Sequence, residues 1–407
     1  MDQHDAMDPY DADRHDPEQH DAIVVGAGVA GGTMAILLAR QGRRVAVVER
    51  STFPRRKVCG EFMSATSVPV LEGLGIADAW RQRAGPEVRR VSLYAGRRVI
   101  DAPMPRAGAE PHGRALGRDV LDGLLLDRAR TEGAVVHQPA KAVAMKREHG
   151  GHRVDITEAG QTRSLHAPIV IAAHGSWEPG PLATQSPKRN RPDDLLGFKA
   201  HFTGAKLAAD RMPLLAFPGG YGGMVWADGG RLSVSCCIRR DRLSAIRSET
   251  GLAAGEAMHH HLIHSMRGAR DVLERAELHG PWLAIGAVRP GIRARYRDDI
   301  FRIGNVAGES HSIIAEGQSM AIQSAWMLSH ALDGIDAASE AARARAGAAY
   351  SKAWRRQFAT RIRAAAAFSA LATRAERLMP LAGLIERVPA TLTFGARLSG
   401  KTKPVLA

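Results

Sequence analysis

Three observations predict an α/β fold of two lobes with a helical C-terminal region. The aliphatic run Ile23-Val24-Val25 opens directly onto a glycine-rich turn and an apolar-faced helix. From about Gly197 to Pro290 the pattern changes to short alternating strands punctuated by Gly-Gly turns. Roughly the last 65 residues return to helical spacing, rich in Ala and Arg and interrupted at Pro380 and Pro389. A chain of 407 residues is long enough for two lobes sharing a core and short for three full domains.

The elements follow in order. Residues Met1–His20 are rich in Asp and His, with too few apolar side chains to offset ordering entropy, and are expected to be disordered. Ile23–Val25 reads as a buried strand, and the next helix carries Met34, Leu37 and Leu38 on its apolar face and ends at Gly42. Val45–Val48 is a second strand closing on Glu49, which completes a βαβ unit. Arg118 to Gly133 reads as a helix, Ala134-Val135-Val136 as a strand, and Ile169–Ala173 as a buried strand turning at Gly175. In the middle block, turns at Gly219-Gly220, Gly222-Gly223 and Gly229-Gly230 separate strands, and a helix near Ala253–Met266 interrupts them. Ile300–Ile303 is then a strand and Ala315–Leu332 a long helix.

Composition narrows the function classes. A hydrophobic fraction of 45% and a charged fraction of 24% are those of a globular protein, and no apolar run approaches the ~18–20 residues of a membrane span. The acidic N-terminus lacks the basic and apolar regions of a secretory signal. Three cysteines make no disulfide framework, so a reducing cytoplasm is the expected location. The first 21 residues carry a net of −7, which leaves +21 on the rest of the chain. Thirteen Lys and Arg fall between Arg343 and Lys403, opposed only by Glu376 and Glu386. Such a surplus favours anionic partners, and the basic C-terminal helices allow a peripheral position on the inner membrane surface. Aromatics at 5% are too sparse for nucleic-acid stacking platforms, so no specific nucleic-acid partner is expected.

Gly26, Gly28 and Gly31 form G-x-G-x-x-G directly after a strand and at the opening of a helix, with an acid, Glu49, eighteen residues further on. In that context the spacing is specific for a dinucleotide. Gly26 permits the tight turn, Gly28 lets a pyrophosphate approach the backbone, and Gly31 lets helix and strand pack closely. The helix N-terminus supplies free N–H groups and the positive end of a dipole, and Glu49 can accept from both ribose hydroxyls. FAD and NAD both use this arrangement, but no second fingerprint exists for a separate nicotinamide domain.

The order of motifs beyond this point resembles the FAD-dependent oxidoreductases that join p-hydroxybenzoate hydroxylase-type monooxygenases, geranylgeranyl reductases and flavin halogenases. Phe53-Pro54-Arg55-Arg56-Lys57-Val58-Cys59-Gly60-Glu61 is similar to the K-x-C-G segment of the reductases and the G-E segment of the halogenases. Arg118-Asp119-Val120-Leu121-Asp122-Gly123-Leu124-Leu125 resembles a family helix whose Arg contacts FAD, which implies that role for Arg118. Gly304-Asn305-Val306-Ala307-Gly308, followed by Glu316-Gly317-Gln318, is similar to the family's G-D-A-A-G and G-E-G pair. Asn305 replaces the Asp that binds the ribityl and pyrophosphate region; it keeps an acceptor and loses a charge. The helix from Gly317 is implied to aim its N–H groups at the flavin pyrimidine edge.

The resemblance implies a Rossmann-type FAD-binding domain over 21–85, 110–180 and 285–335. A largely antiparallel substrate domain would take 86–109 and 181–284, with the acidic tail at 1–20 and the helical region at 336–407. It also sharpens the departures. The family's proline near the flavin ring falls on Ser312 with His311 beside it, so His311 is a candidate proton donor or acceptor. The D-G-x-x-S-x-x-R segment used for FAD and NADPH corresponds to Ala173-His174-Gly175-Ser176-Trp177-Glu178, without its Asp and Arg. The electron source is therefore NAD(P)H or a separate reductase. Pro218-Gly219-Gly220-Tyr221-Gly222 matches the start of the reductases' prenyl-pocket stretch, but its aromatic half is lost, and the halogenases' W-x-W-x-I-P is missing.

The expected activity is that of an FAD-dependent monooxygenase hydroxylating an aromatic or polyketide-like substrate through a flavin C4a-hydroperoxide. FAD falls to Gly26, Gly28, Gly31, Glu49, Arg118, Asn305 and Gly317, and the chemistry to His311, Tyr221 and Cys59. The alternatives are an FAD-dependent reductase of a lipid or isoprenoid carbon–carbon double bond, a flavoenzyme modifying a partner protein, and a basic binding protein that uses FAD structurally. No metal site is expected: His260 and His264 share a helix face at i, i+4 without a carboxylate or Cys ligand beside them. Adjacent Cys236 and Cys237 face opposite sides of a strand.

Overall fold

The computed structural model describes residues 18–107, 112–176, 180–185, 189–374 and 382–402. Its first unit is the strand β1 (Ala22–Val25), the helix α1 (Val29–Arg40) and the strand β2 (Val45–Val48). A hairpin of β3 (Arg90–Ala95) and β4 (Arg98–Pro103) follows, then α2 (Arg118–Thr131) and β5 (Val135–His137). Three antiparallel strands, β6 (Ala140–Glu148), β7 (Gly151–Glu158) and β8 (Gln161–Ala167), lead into β9 (Ile169–Ala172). The second lobe contains β10 (Leu195–Thr203), β11 (Arg211–Phe217), β12 (Gly220–Trp226) and β13 (Leu232–Arg239). It continues through α3 (Arg240–Thr250), α4 (Ala254–Ser265), α5 (Arg267–Leu273) and β14 (Leu283–Val288). The chain returns to the first lobe at β15 (Ile300–Arg302), continues through α6 (Gly317–Ala331) and α7 (Glu340–Ala372), and reaches the short α8 (Ala390–Ala396).

The first sheet runs β15–β9–β1–β2–β5 with all neighbours parallel, and Tyr296–Arg297 adds an antiparallel edge. Register is set by aliphatic pairs: Val24 stands beside Ile171 on one side and Val47 on the other. Both faces are covered, so β1 and β2 carry no polar alternation. Ala22 and Val24 face α1, α2 and α6, whereas Ile23 and Val25 pack under β6–β8 with Val154 and Ile156, as the two-residue period of a strand requires.

The second sheet has eight strands, in the order Glu277–Leu278, β10, β13, β12, β11, β3, β4, with β14 also on β10. It is antiparallel except for the β11–β3 pair. One face packs on α3–α5 through Phe198, Phe202, Met258 and Leu262. The opposite face, through Gly197, Lys199 and His201, turns toward the first lobe.

Two details refine the sequence reading. The disordered tail was drawn through residue 20; residues 1–17 lie outside the described residues, but His20 is buried and exchanges backbone hydrogen bonds around His166 at the edge of β8. Leu182, assigned to the second lobe, packs with Ile23 and Val170 of the first. The C-terminal helix α7 is riveted to the first lobe by a buried pair in which Arg343 Nη2 donates to Asp299 at 2.6 Å, and by Trp354 and Phe358 in the core.

Candidate functional site

The carboxyl ends of β1, β2 and β9 open onto a cavity of about 550 Å³ that extends to the N-terminus of α6 and the near face of the second sheet. Gly26, Gly28, Glu49, Arg118, Asn305 and Gly317 all line it. Gly31 lies one turn behind. A Cβ on Gly31 would stand 1.7 Å from the Gly26 carbonyl oxygen, so its absence lets α1 close against the turn. Gly26 has φ +104, and a Cβ there would meet the backbone of Ala173 and His174 at 2.7–2.8 Å. Both positions require glycine.

Glu49 is buried and accepts from Ala27 N–H and Ser51 N–H, each at 2.9 Å, which fixes its carboxylate at the end of β2. Arg118 opens α2 and grips Asp122 with Nε and Nη2 at 2.8 and 2.9 Å, while Lys57 Nζ reaches the same carboxylate at 2.8 Å. These two cations converge on Gly28, where a Cβ would meet them at 3.3 and 3.9 Å. Burial pulls the Lys57 ammonium down against the attraction of Asp122. Asn305 donates from Nδ2 to Glu309 at 3.3 Å, and its carbonyl accepts from Arg293 at 2.7 Å.

The far end is built from side chains. Cys59 Sγ receives Glu61 N–H and Gln318 Nε2, both at 3.4 Å. Glu61, in the left-handed region at φ 62, lines the cavity and is clasped by Lys199 Nζ at 2.5 Å and His201 Nε2 at 2.8 Å. Lys199 spends its other two protons on Cys59 O and Ser233 Oγ. Burial alone would raise the Glu61 carboxyl, but Lys199 and His201 outweigh it and hold it well below the usual carboxylate range. Burial also lowers His201, which stays the neutral partner beside the Glu61–Lys199 ion pair. A second buried pair joins Lys401 Nζ to Glu316 at 2.9 Å and to Ile314 O at 2.6 Å, just before α6 begins.

His311 and Tyr221 come together but neither lines the cavity. The wall is formed by Ser310 and Ser312, and behind it Tyr221 Oη lies 3.0 Å from His311 Nδ1. Tyr221 is wholly buried, and burial pushes its hydroxyl well up, so it stays protonated and donates to Nδ1; the ring proton of His311 is then on Nε2. Burial lowers His311 to about 4, leaving it neutral at pH 7. His174, where the family has Asp, lines the cavity with Nε2 2.8 Å from Thr184 Oγ1, and burial lowers it to about 4 as well. Trp177 and Glu178 of the same segment lie outside the described residues. Cys236 and Cys237 belong to different apolar clusters on the two faces of β13. The rings of His260 and His264 stack at 3.9 Å.

An apolar cavity of about 30 Å³ adjoins the first and shares Gly60, Phe62, Ser312 and Ala315 with it; Met212, Leu214 and Met224 supply its far wall.

The large cavity fits FAD on its own features. Space is open above Gly317 at the head of α6, where among the described residues no atom beyond its chain neighbours and its own helix backbone lies within 4 Å of an added Cβ. Gln318 Oε1 is buried there with no hydrogen-bond partner among the described residues. Cations gather at Gly28, where a pyrophosphate would meet free helix N–H groups.

Residues 19–184 match the FAD binding domain family. A menaquinone reductase of Mycobacterium tuberculosis is 35% identical over 156 residues, 37% of each chain. Squalene epoxidase 4 of Arabidopsis thaliana is 31% identical over 163 residues, 39% of this chain and 31% of that one. The chain thus spans about a third of these relatives' lengths. The solved myxobacterial chondrochloren halogenase shares the fold across nearly the whole chain, with a TM-score of 0.74 at 19% identity over 94% of this chain and 91% of that one. Residues 19–184 thus carry an FAD binding domain, and the chain as a whole has the fold of the chondrochloren halogenase and of a geranylgeranyl bacteriochlorophyll reductase-like protein of Thermoplasma acidophilum.

Proposed function

We propose that the chain is an FAD-dependent monooxygenase that hydroxylates an aromatic or polyketide-like small molecule bound where the large cleft meets the small apolar cavity. The observation that carries this reading is the junction of the two cavities at Gly60, Phe62, Ser312 and Ala315, which would bring an apolar substrate to the end of the cleft farthest from the dinucleotide turn. Bound FAD would supply two-electron transfer and, when reduced, activation of O2. Glu49 would accept from the ribose hydroxyls, and the N-terminus of α1 with Lys57 and Arg118 would balance the pyrophosphate charge. The N-terminus of α6 at Gly317 would offer N–H groups to negative charge on the flavin edge. Phe62, Met212 and Met224 would exclude water around the reacting atoms. Cys59 lines the cleft wall next to Gly60 of that junction, and His311 and Tyr221, behind the wall, would position the 311–315 loop.

Reduction of a carbon–carbon double bond in a lipid or isoprenoid is the second reading. The likeness to a menaquinone reductase and the apolar wall favour it.

The test is the absorbance spectrum of the purified protein, then anaerobic mixing with NADPH or NADH, then oxygen. The expected result is a bound flavin whose reduced form reacts rapidly with oxygen and gives hydroxylated product with an aromatic substrate. No flavin after added FAD overturns the reading. Slow reaction with oxygen, combined with loss of a double bond in an isoprenoid, replaces it with the second. Bleaching by a nicotinamide identifies NAD(P)H as the direct donor, and indifference to both points to a separate reductase.

A further inference from the structure

Among the described residues eight large apolar side chains stand exposed, and six of them fall between Phe368 and Leu398. Four of the six make the same pattern twice. Leu384, Arg387 and Val388 stand at i, i+3 and i+4 on the helical residues 382–387 and the residue after them. Phe394, Arg397 and Leu398 repeat that spacing along α8 and the turn that continues it. The four apolar side chains are 57%, 50%, 60% and 50% exposed in chain order.

The inward faces explain why the outward ones point the same way. Ala382, Ile385 and Leu392 pack on Leu93 and Ala95 of β3 and Ile100 of β4, and Ala396 packs beside Val91. Residues 91, 93 and 95 share one face of their strand. Both helical pieces therefore lie flat on one side of the second sheet and turn their apolar tips away from it together.

We propose that this face docks on an anionic lipid bilayer surface. Apolar tips flanked by guanidinium groups match a surface that is negative at the head groups and apolar just beneath them. Glu386 is the only acid between 382 and 402 and is bound by Arg98 at 3.0 Å, whereas Arg387 and Arg397 make no ion pair among the described residues. A second copy of the chain fits worse: it would press these arginines against their equivalents in a molecule of net charge +14. No helix among the described residues is long and apolar enough to cross a membrane, so the contact is interfacial.

The docking face also covers the apolar cavity. Leu392 and Ala396 pack in one cluster with Phe62, Met212 and Val225, three residues of the cavity wall. A lipid-soluble substrate would enter from the bilayer beneath α8; this step alone rests on the proposed function.

The experiment is flotation of the full-length, FAD-loaded protein with vesicles of phosphatidylglycerol and phosphatidylcholine, and with phosphatidylcholine alone, at about 0.15 M salt. The protein is expected to float with the anionic vesicles. Phe394→Ser combined with Leu398→Ser changes only exposed side chains; it should weaken binding about tenfold or more while flavin content and melting temperature stay put. Arg387→Gln combined with Arg397→Gln should remove the preference for anionic vesicles. Failure of the unmodified protein to float overturns the proposal. So does undiminished binding by the Phe394/Leu398 variant, which would assign flotation to the general charge of the body. A concentration-dependent dimer that this variant abolishes, without vesicle binding, would assign the face to a second copy. The flavin spectrum is read separately, so a failed functional reading is distinguishable from a failed docking face.

Discussion

The two ends of the large cavity are built on different principles. At the dinucleotide end the frame is backbone, a turn at Gly26, a helix start at Gly28 and one carboxylate within residues 26–49, to which Lys57 and Arg118 add charge. At the far end the working parts are side chains from segments far apart in sequence, with Glu61 held by Lys199 and His201, and Glu316 held by Lys401. A backbone site depends on space and conformation, and a side-chain site depends on buried charges finding each other. The two should therefore break differently.

The largest expected effect is at the side-chain end. Lys199→Met leaves the Glu61 carboxylate buried without its cation and should cost about 3–5 kcal/mol of unfolding free energy at pH 7–8, measured by urea denaturation. His201 remains in contact and can protonate in acid to replace the missing cation, so the loss should shrink as pH falls. A loss that does not depend on pH would mean that packing, not charge, holds this end together.

At the backbone end, Gly31→Ala drives a methyl into the Gly26 carbonyl and should cost about 2–3 kcal/mol, with FAD affinity falling at the same time because the turn must open. Equal affinity with lower stability would detach the turn from cofactor binding. Glu49→Gln keeps an acceptor for one of the two backbone N–H groups but removes the charge. It should weaken FAD about 10-fold, with little change in the fold, by titration of the apoprotein.

This contrast also explains what could be read from the sequence. The βαβ unit, Gly26, Gly28, Gly31 and Glu49 were legible because local spacing alone encodes a backbone site. Arg118, Asn305 and Gly317 became legible only through the ordered resemblance, since each lies on a different element. The Glu61–Lys199–His201 cluster was missed, although β10 carried a signal: Lys199 and His201 alternate with Phe198, Ala200 and Phe202, so two ionisable groups share the face opposite the apolar one. That pattern marks a strand with a polar buried face but does not name the partner carboxylate 140 residues away. Lys401 carried no local signal, because its partner Glu316 is reached only after the chain has crossed the second sheet.

Acid should separate the neutral histidines from the ionic clusters. Burial holds His174 near 4, below the ordinary unfolded value of about 6.5. The unfolded chain therefore binds the extra proton first. This contribution to stability is fully present above about pH 6.5 and is lost as pH falls from there toward 4, reaching about 1.4 kcal/mol at pH 5.5. His311, also near 4, adds a loss of the same sign. His174→Asn should flatten the curve between pH 6.5 and 5, read from melting temperatures; an unchanged curve would place the acid sensitivity elsewhere.

The smallest expected effect decides the role of Tyr221. Its hydroxyl is wholly buried behind the cavity wall and donates to a histidine that is itself neutral. Tyr221→Phe removes one hydrogen bond and leaves His311 Nδ1 without that donor, which should cost about 1 kcal/mol of stability. If Tyr221 only positions the 311–315 loop, turnover of the FAD-loaded enzyme should fall less than about tenfold. A fall of about 10²–10⁴-fold at full flavin content would instead be the loss of a proton-transfer group. That result would mean that the wall at Ser310 and Ser312 opens during turnover and that the pair behind it reaches the reacting atoms. His311→Gln separates the cases further: it can still accept from Tyr221 but cannot titrate, so a positioning role survives it and a proton-transfer role does not.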